Sequence, residues 1–305
     1  MTVSAGEGAC DMSNGKPNGF APPTLTEDCR LLKRVEVCEG FTGEGNHADA
    51  PFVGIALDVE TTGLDHSADR IIELALRRFR YDRHGVILNI DRPYSWLEDP
   101  GRNIPPEISR LTGLTDADLK GQAIDDDEAV RLLGTATLVI AHHARFDRQW
   151  VEARLPDAAG LAWACSMEEI DWRSRGFVGG KLGFLLMQAG WFHDGHRAGA
   201  DVDAVIQLLR HRFDDGRTAL SVLTAKAAQP SWIVRAIGAD FSVKDLLRVR
   251  GYRWDAGRKV WWREVPDHDR TPEEFWLAAN VYSVHAKPKA LGPSFEEVSA
   301  FTRFQ

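Results

Sequence analysis

The run Val53 to Glu60, VGIALDVE, constrains this chain more than any other stretch. Its near-continuous apolar character reads as a strand buried inside a sheet. Yet that strand closes on Asp58 and Glu60, which stand at i and i+2 and so project from one face. Two acids there repel each other and lack full hydration, a cost that a bound divalent cation removes. Whatever fold this chain adopts must therefore bring something to that strand end.

The surrounding pattern predicts a layered α/β unit. Arg70–Phe79 reads as a second strand, and the His84-Gly85 turn leads into a third over Val86–Ile90. A helix starts at Pro105-Pro106, and another covers Asp126–Leu133. Then follow a buried strand over Thr137–Ala141, a helix over Phe146–Arg154 and a short strand over Leu161–Cys165. Helices come next near Leu182–Ala189, Ala200–Arg212 and Arg217–Ala227.

On either side the character changes. Residues 1–24 are rich in Gly, Ser, Asn and Pro, too polar to offset ordering, and read as disordered. Residues 25–50 read as an extension, with a short helix from Leu25 to Arg34 capped by Thr26. A second unit starts near Pro230 with a strand over Trp232–Ile237. Ser242 to Asp245 looks like a capping box for a helix ending at Gly251. Tyr252–Asp255 and Lys259–Val265 form a hairpin, Thr271 caps a helix to Tyr282, and the remainder reads as a loose tail. The expected organisation is thus 1–24 disordered, 25–50 extension, 51–227 main domain, 230–283 small Trp-rich basic domain and 284–305 tail.

Charge is spread unevenly along these segments. The 305 residues carry a formal net charge of −8, which on its face argues against coating nucleic acid by bulk charge. Residues 51–225 hold 27 acidic and 20 basic side chains, whereas 226–305 hold 10 and 13. The four cysteines show neither a zinc-binding spacing nor a disulfide framework. No signal peptide or membrane span is evident, and the expectation is a soluble, cytoplasmic protein.

Asp147 opens the helix after the Thr137–Ala141 strand, and Asp201 opens a helix after a Gly-rich loop. With Asp58 and Glu60 these form a four-carboxylate set whose hard oxygen donors suit Mg²⁺ or Mn²⁺. A pair of such ions suits in-line phosphoryl displacement. His196 lies five residues before Asp201, and an imidazole is the side chain best suited to act as a general base at neutral pH.

Three segments then carry a resemblance. DVETTGL (Asp58 to Leu64), AHHARFD (Ala141 to Asp147) and HRAGAD (His196 to Asp201) resemble the three motifs of the DEDDh 3′–5′ exonucleases. That family includes the epsilon proofreading subunit of bacterial replicative polymerase and ribonuclease T. The resemblance covers roughly residues 50–212 and fills all five motif positions in order. It implies a ribonuclease H-like fold, a mixed five-stranded sheet flanked by helices, here with a small α+β C-terminal domain. It further implies two Mg²⁺ or Mn²⁺ ions held by Asp58, Glu60, Asp147 and Asp201, with His196 as general base. Thr61 and Leu64 would meet the 3′-terminal nucleotide, and the segment Ile104 to Thr115 resembles the family's substrate side. The second motif departs from the usual pattern by placing His143 where an Asn is common.

Other candidates weigh less. Asp203 is expected to face solvent, His142 and His143 to be structural, Asp125 to Glu128 to be an acidic helix start, and Cys165 to be a buried apolar residue. Residues 231–263 carry eight basic and three acidic side chains, together with Trp232, Trp254, Trp261 and Trp262. Two readings stay open for them: a Trp-rich core with a solvated basic rim, or a nucleic-acid grip. The expected function is a metal-dependent exonuclease removing nucleoside monophosphates from the 3′ end of single-stranded or frayed DNA, in repair or proofreading. Its partners are then DNA, favoured over RNA, and a DNA polymerase. The alternatives are an exoribonuclease and a non-catalytic adaptor that binds a polymerase.

Overall fold

The computed structural model describes residues 30–45 and 50–305. The expected disorder over 1–24 lies outside these residues, as does the first half of the helix expected over Leu25–Arg34. Its last two residues are instead a strand, β1 (Lys33–Arg34), which pairs with β8 (Trp191–Phe192).

The main sheet has the order β2-β5-β4-β3-β6-β7. It consists of β2 (Gly40–Phe41), β3 (Phe52–Thr61), β4 (Ile71–Tyr81), β5 (Ile87–Leu97), β6 (Leu138–Ala141) and β7 (Trp163–Cys165). Among the described residues it is six-stranded rather than five-stranded, because Gly40 and Phe41 of the extension pair with Ile90 and Asn89 at its edge. Strands β3, β4 and β5 run antiparallel, whereas β3, β6 and β7 run parallel and need crossover connections. This is the ribonuclease H-like arrangement the resemblance implied.

Helices flank the sheet. α1 (Pro106–Thr112), α2 (Asp116–Leu119) and α3 (Asp126–Leu133) precede β6, and α4 (Ala144–Arg154) joins β6 to β7. Asp125 caps α3 by accepting from the Glu128 N–H, as its acidic start suggested. α5 (Leu182–Gln188), α6 (Ala198–Leu209) and α7 (Ala219–Ala227) follow. The period-2 alternation of β3 divides its side chains between two cores. Ile55, Leu57 and Val59 join Leu132, Trp150 and Val151 of α3 and α4. Ala56 faces Val202, Val205 and Ile206 of α6. Asp58 and Glu60 share the parity of Ala56, so the strand aims both carboxylates at α6. Gly54 has the same parity, and any Cβ there would overlap the Phe79 ring.

The small domain is a four-stranded antiparallel sheet with helices on one face. Its strands, in the order β10-β11-β9-β12, are β9 (Ser231–Ala236), β10 (Arg253–Asp255), β11 (Val260–Pro266) and β12 (Ser294–Val298). α8 (Lys244–Val249) and α9 (Arg270–Asn280) supply Leu247 and Leu277 to a core with Val234, Tyr252 and Val265. The expected capping box at Ser242 does not form: Asp240 accepts from the Ser242 N–H and opens a 3₁₀ turn ahead of α8. Thr271 is likewise not the cap of α9, which begins one residue earlier and has no side-chain cap.

The largest correction concerns the tail. Residues 284–305 are not loose, since β12 pairs along β9 and the segment beyond it docks on the main domain. The Trp163 N–H donates to the Ala300 carbonyl at 2.8 Å. Buried Arg148 donates to the carbonyls of Phe301 and Arg303, and Arg303 itself pairs with buried Glu169 and reaches Ser231 Oγ. No helix among the described residues is long and apolar enough to cross a membrane.

Candidate active site

Strand β3 and helix α6 deliver their acids to one place. Ligand oxygens of Asp58, Glu60 and Asp201 lie within 4.8 Å of one another. Asp147, buried in the first turn of α4, is not one of these three but lies near enough to repel Asp58, its Oδ1 accepting from the Val59 N–H at 3.2 Å. Burial, then repulsion from Asp147, Asp201, Glu60 and Glu73, holds Asp58 well above the usual carboxylate range. Burial first, then Asp201 and Glu73, pushes Glu60 up to about 7. Burial likewise pushes Asp147 up to about 8, against the opposing effect of the Val59 N–H. Acids that outnumber the nearby cations at this density share protons or take up cations, and an all-oxygen donor set fits a hard divalent ion.

The third motif is built around Asp201. Its Oδ2 accepts from the backbone N–H groups of His196 at 2.8 Å and Arg197 at 3.2 Å. His196 adopts a left-handed backbone (φ 68°) to make this turn, and its imidazole is exposed beside the cluster. The other carboxylate oxygen, Oδ1, meets Nε2 of His193 at 2.9 Å. His193 is nearly enclosed, and its Nδ1 has no hydrogen-bond partner among the described residues.

Sequence reasoning missed His193, and it also missed Glu73. Glu73 stands opposite Glu60 on β4 and is 2% exposed. It accepts from Ser95 Oγ at 3.0 Å, from Arg197 Nε at 3.1 Å and from the Ala198 N–H at 3.2 Å. Arg197, the N-cap residue of α6, offers no side-chain cap, so Glu73 fills that role from the neighbouring strand and fixes the turn that carries His196 and Asp201. The available signal was its parity: Glu73 shares a sheet face with Ala75, which packs against the same core as α6. Arg77, two residues further on, is also buried and pairs with Asp203 at 2.8 Å. Asp203 is therefore not the solvent-facing residue expected; a buried guanidinium claims it.

The remaining motif residues frame the cluster. Thr61 Oγ1 donates to the Gly63 carbonyl at 2.6 Å, tightening the turn from which Leu64 projects, 81% exposed. Thr62, Asp69 and Arg102 hydrogen-bond one another behind that turn. His142 is structural, as expected: its Nε2 lies 2.7 Å from the Gly180 carbonyl and its Nδ1 2.8 Å from Ser166 Oγ. A carbonyl can only accept, so Nε2 carries the proton, and burial lowers this imidazole to about 4. His143, where the family commonly has Asn, is exposed and stacks parallel to Phe146. Cys165 is fully buried.

A family model described as exonuclease matches residues 55–209, just over half of the chain. The chain belongs to this exonuclease family. A PolC-type DNA polymerase III of Thermotoga maritima is 30% identical to this chain over 144 residues, 46% of this chain and 10% of that protein. The DNA polymerase III epsilon subunit of Treponema pallidum is 38% identical over 104 residues, 33% of this chain and 45% of its own. A ribonuclease T of Shewanella baltica is 27% identical over 111 residues, 32% of this chain and 49% of its own. The chain thus spans less than half the length of the first two relatives. Among solved structures, Exonuclease X in complex with 5′ overhanging duplex DNA aligns over 57% of this chain and 99% of its own, at 22% identity and a TM-score of 0.41.

Proposed function

We propose that this chain is a metal-dependent 3′–5′ exonuclease that hydrolyses the terminal phosphodiester of single-stranded or frayed DNA and releases nucleoside monophosphates. The observation that carries the reading is the convergence of the Asp58, Glu60 and Asp201 oxygens within 4.8 Å. Asp58, Glu60, Asp147 and Asp201 hold two Mg²⁺ or Mn²⁺ ions, with residues 51–227 as the catalytic unit. When bound, such ions activate water and stabilise the departing 3′ oxygen. Asp147 is tied to the Val59 N–H by one oxygen, and its other oxygen would be the one to hold an ion. His196 accepts the proton of the attacking water at an imidazole nitrogen. Its exposure leaves that ring free to approach a substrate, while its backbone stays anchored on Asp201. Glu73 and Arg197 keep that anchor in place. Leu64 and Thr61 meet the terminal nucleotide, the leucine offering an apolar surface beside the acids. The epsilon and PolC-type relatives favour a role beside a DNA polymerase in replication or repair.

A 5′-labelled oligonucleotide tests this directly. With Mg²⁺ or Mn²⁺ the protein shortens it progressively from the 3′ end, and Asp58→Ala and Asp201→Ala each abolish the shortening. Activity persisting in either variant refutes the assignment. Ribonuclease T among the relatives supports a second reading, an exoribonuclease, and faster trimming of a matched RNA strand selects it.

A further inference from the structure

The hairpin formed by β10 and β11 carries a surface that the carboxylate site does not use. Trp254 and Trp261 oppose each other across it, with ring centroids 5.5 Å apart. Trp261 leans on the small domain's core, which steadies Trp254 on the edge strand, where it is 51% exposed. Arg253, Arg258 and Lys259 around them are exposed, and none has a side-chain hydrogen bond or ion pair among the described residues. The hairpin's nearest carboxylate, Asp255, is committed to the turn, accepting from the Arg258 N–H at 2.9 Å. Four other arginines of this domain are already matched. Arg250 and Arg263 meet Glu273, Arg235 meets Glu296, and Arg248 meets Asp245. Unmatched positive charge and an exposed indole therefore coincide at one hairpin.

The catalytic unit is badly suited to holding a polyanion by itself, with 27 acidic against 20 basic residues over 51–225. The small domain is tied to it through Arg303 and Glu169, and Glu169 lies just past the end of β7. That is also the end of the parallel strands at which Asp58 and Glu60 emerge. We infer that the hairpin grips single-stranded DNA behind its 3′ end, with one base stacked on Trp254 and phosphates against Arg253, Arg258 and Lys259. The identity of the strand rests on the exonuclease reading above. Indole stacking tolerates any base, as an enzyme that advances along a strand requires.

Fluorescence anisotropy of labelled oligothymidylate, titrated with the full chain in EDTA, tests the grip without turnover. Trp254→Ala weakens binding on the order of ten-fold, and Trp254→Phe restores most of it. Replacing Arg253, Arg258 and Lys259 together by Gln lowers the slope of log affinity against log salt by about 2, at roughly 0.7 per lost phosphate contact. No binding by the unaltered chain, or unchanged affinity and slope in both variants, overturns the inference and leaves these side chains as guards of an exposed sheet edge. RNA or polyglutamate binding as tightly as the DNA, with the same losses, overturns DNA as the occupant. Because no metal is present, failure here is distinct from failure of hydrolysis, which the Asp58→Ala comparison decides.

Discussion

Glu60→Gln isolates what the crowded carboxylates cost the metal-free fold. Burial, together with Asp201 and Glu73, raises Glu60 from 4.5 to about 7. Between those values the folded protein keeps a proton that the unfolded chain has released. The associated stability is complete below pH 4.5 and is lost as pH rises through 7. The gap between the two values is worth about 3 kcal/mol. Gln does not titrate, so the variant escapes this loss. In EDTA at pH 5 the two proteins differ by less than about 1 kcal/mol. At pH 8 the variant is more stable by about 3 kcal/mol, or roughly 5 °C in Tm for a chain of this size. Scanning calorimetry across that range reads the divergence. Added Mn²⁺ reverses the order at pH 8, because the unaltered site gains binding free energy that a site missing one ligand does not. Equal melting temperatures at pH 8 in EDTA, or a less stable variant, would refute the argument that burial and repulsion at Glu60 strain the empty cluster.

Two further outcomes follow from buried charges outside the acid cluster. Glu73→Gln keeps an acceptor for Ala198 but loses the charge facing Arg197, so kcat on a labelled oligonucleotide falls about ten-fold with little change in KM; an unchanged kcat removes Glu73 from the support of the third motif. Arg303→Met leaves Glu169 buried and unpaired and lowers unfolding stability by about 3 kcal/mol in denaturant titration, while adding Glu169→Gln recovers most of the loss; no destabilisation counts against a docked C-terminal segment.

Much of the nuclease unit was legible in the chain because its signals are local. An apolar strand ending in Asp58 and Glu60 reports its face by period 2 alone, and the acidic start of α3 reports its own cap. Spacing placed Asp147 and Asp201 at helix starts, where the structure has them in the first turns of α4 and α6. The small domain's hairpin followed from its turn and alternation.

What the sequence could not decide depends on neighbours distant along the chain. Asp203 sits two residues from Asp201 on α6, and nothing local says that Arg77, 126 residues earlier, lies buried beneath it. Glu73 reads as one polar residue in an apolar strand until α6 settles over β4 and presents an uncapped N-terminus to it. The final residues look loose because they are short and mixed in character, yet Arg148, fully buried, needs the carbonyls of Phe301 and Arg303, 153 and 155 residues away. A strand or a cap is paid for by residues a few positions apart, so the sequence by itself determines the elements and the acids they carry. A buried charge is satisfied only by whatever the fold brings within hydrogen-bond reach, and that pairing is decided by the tertiary structure alone.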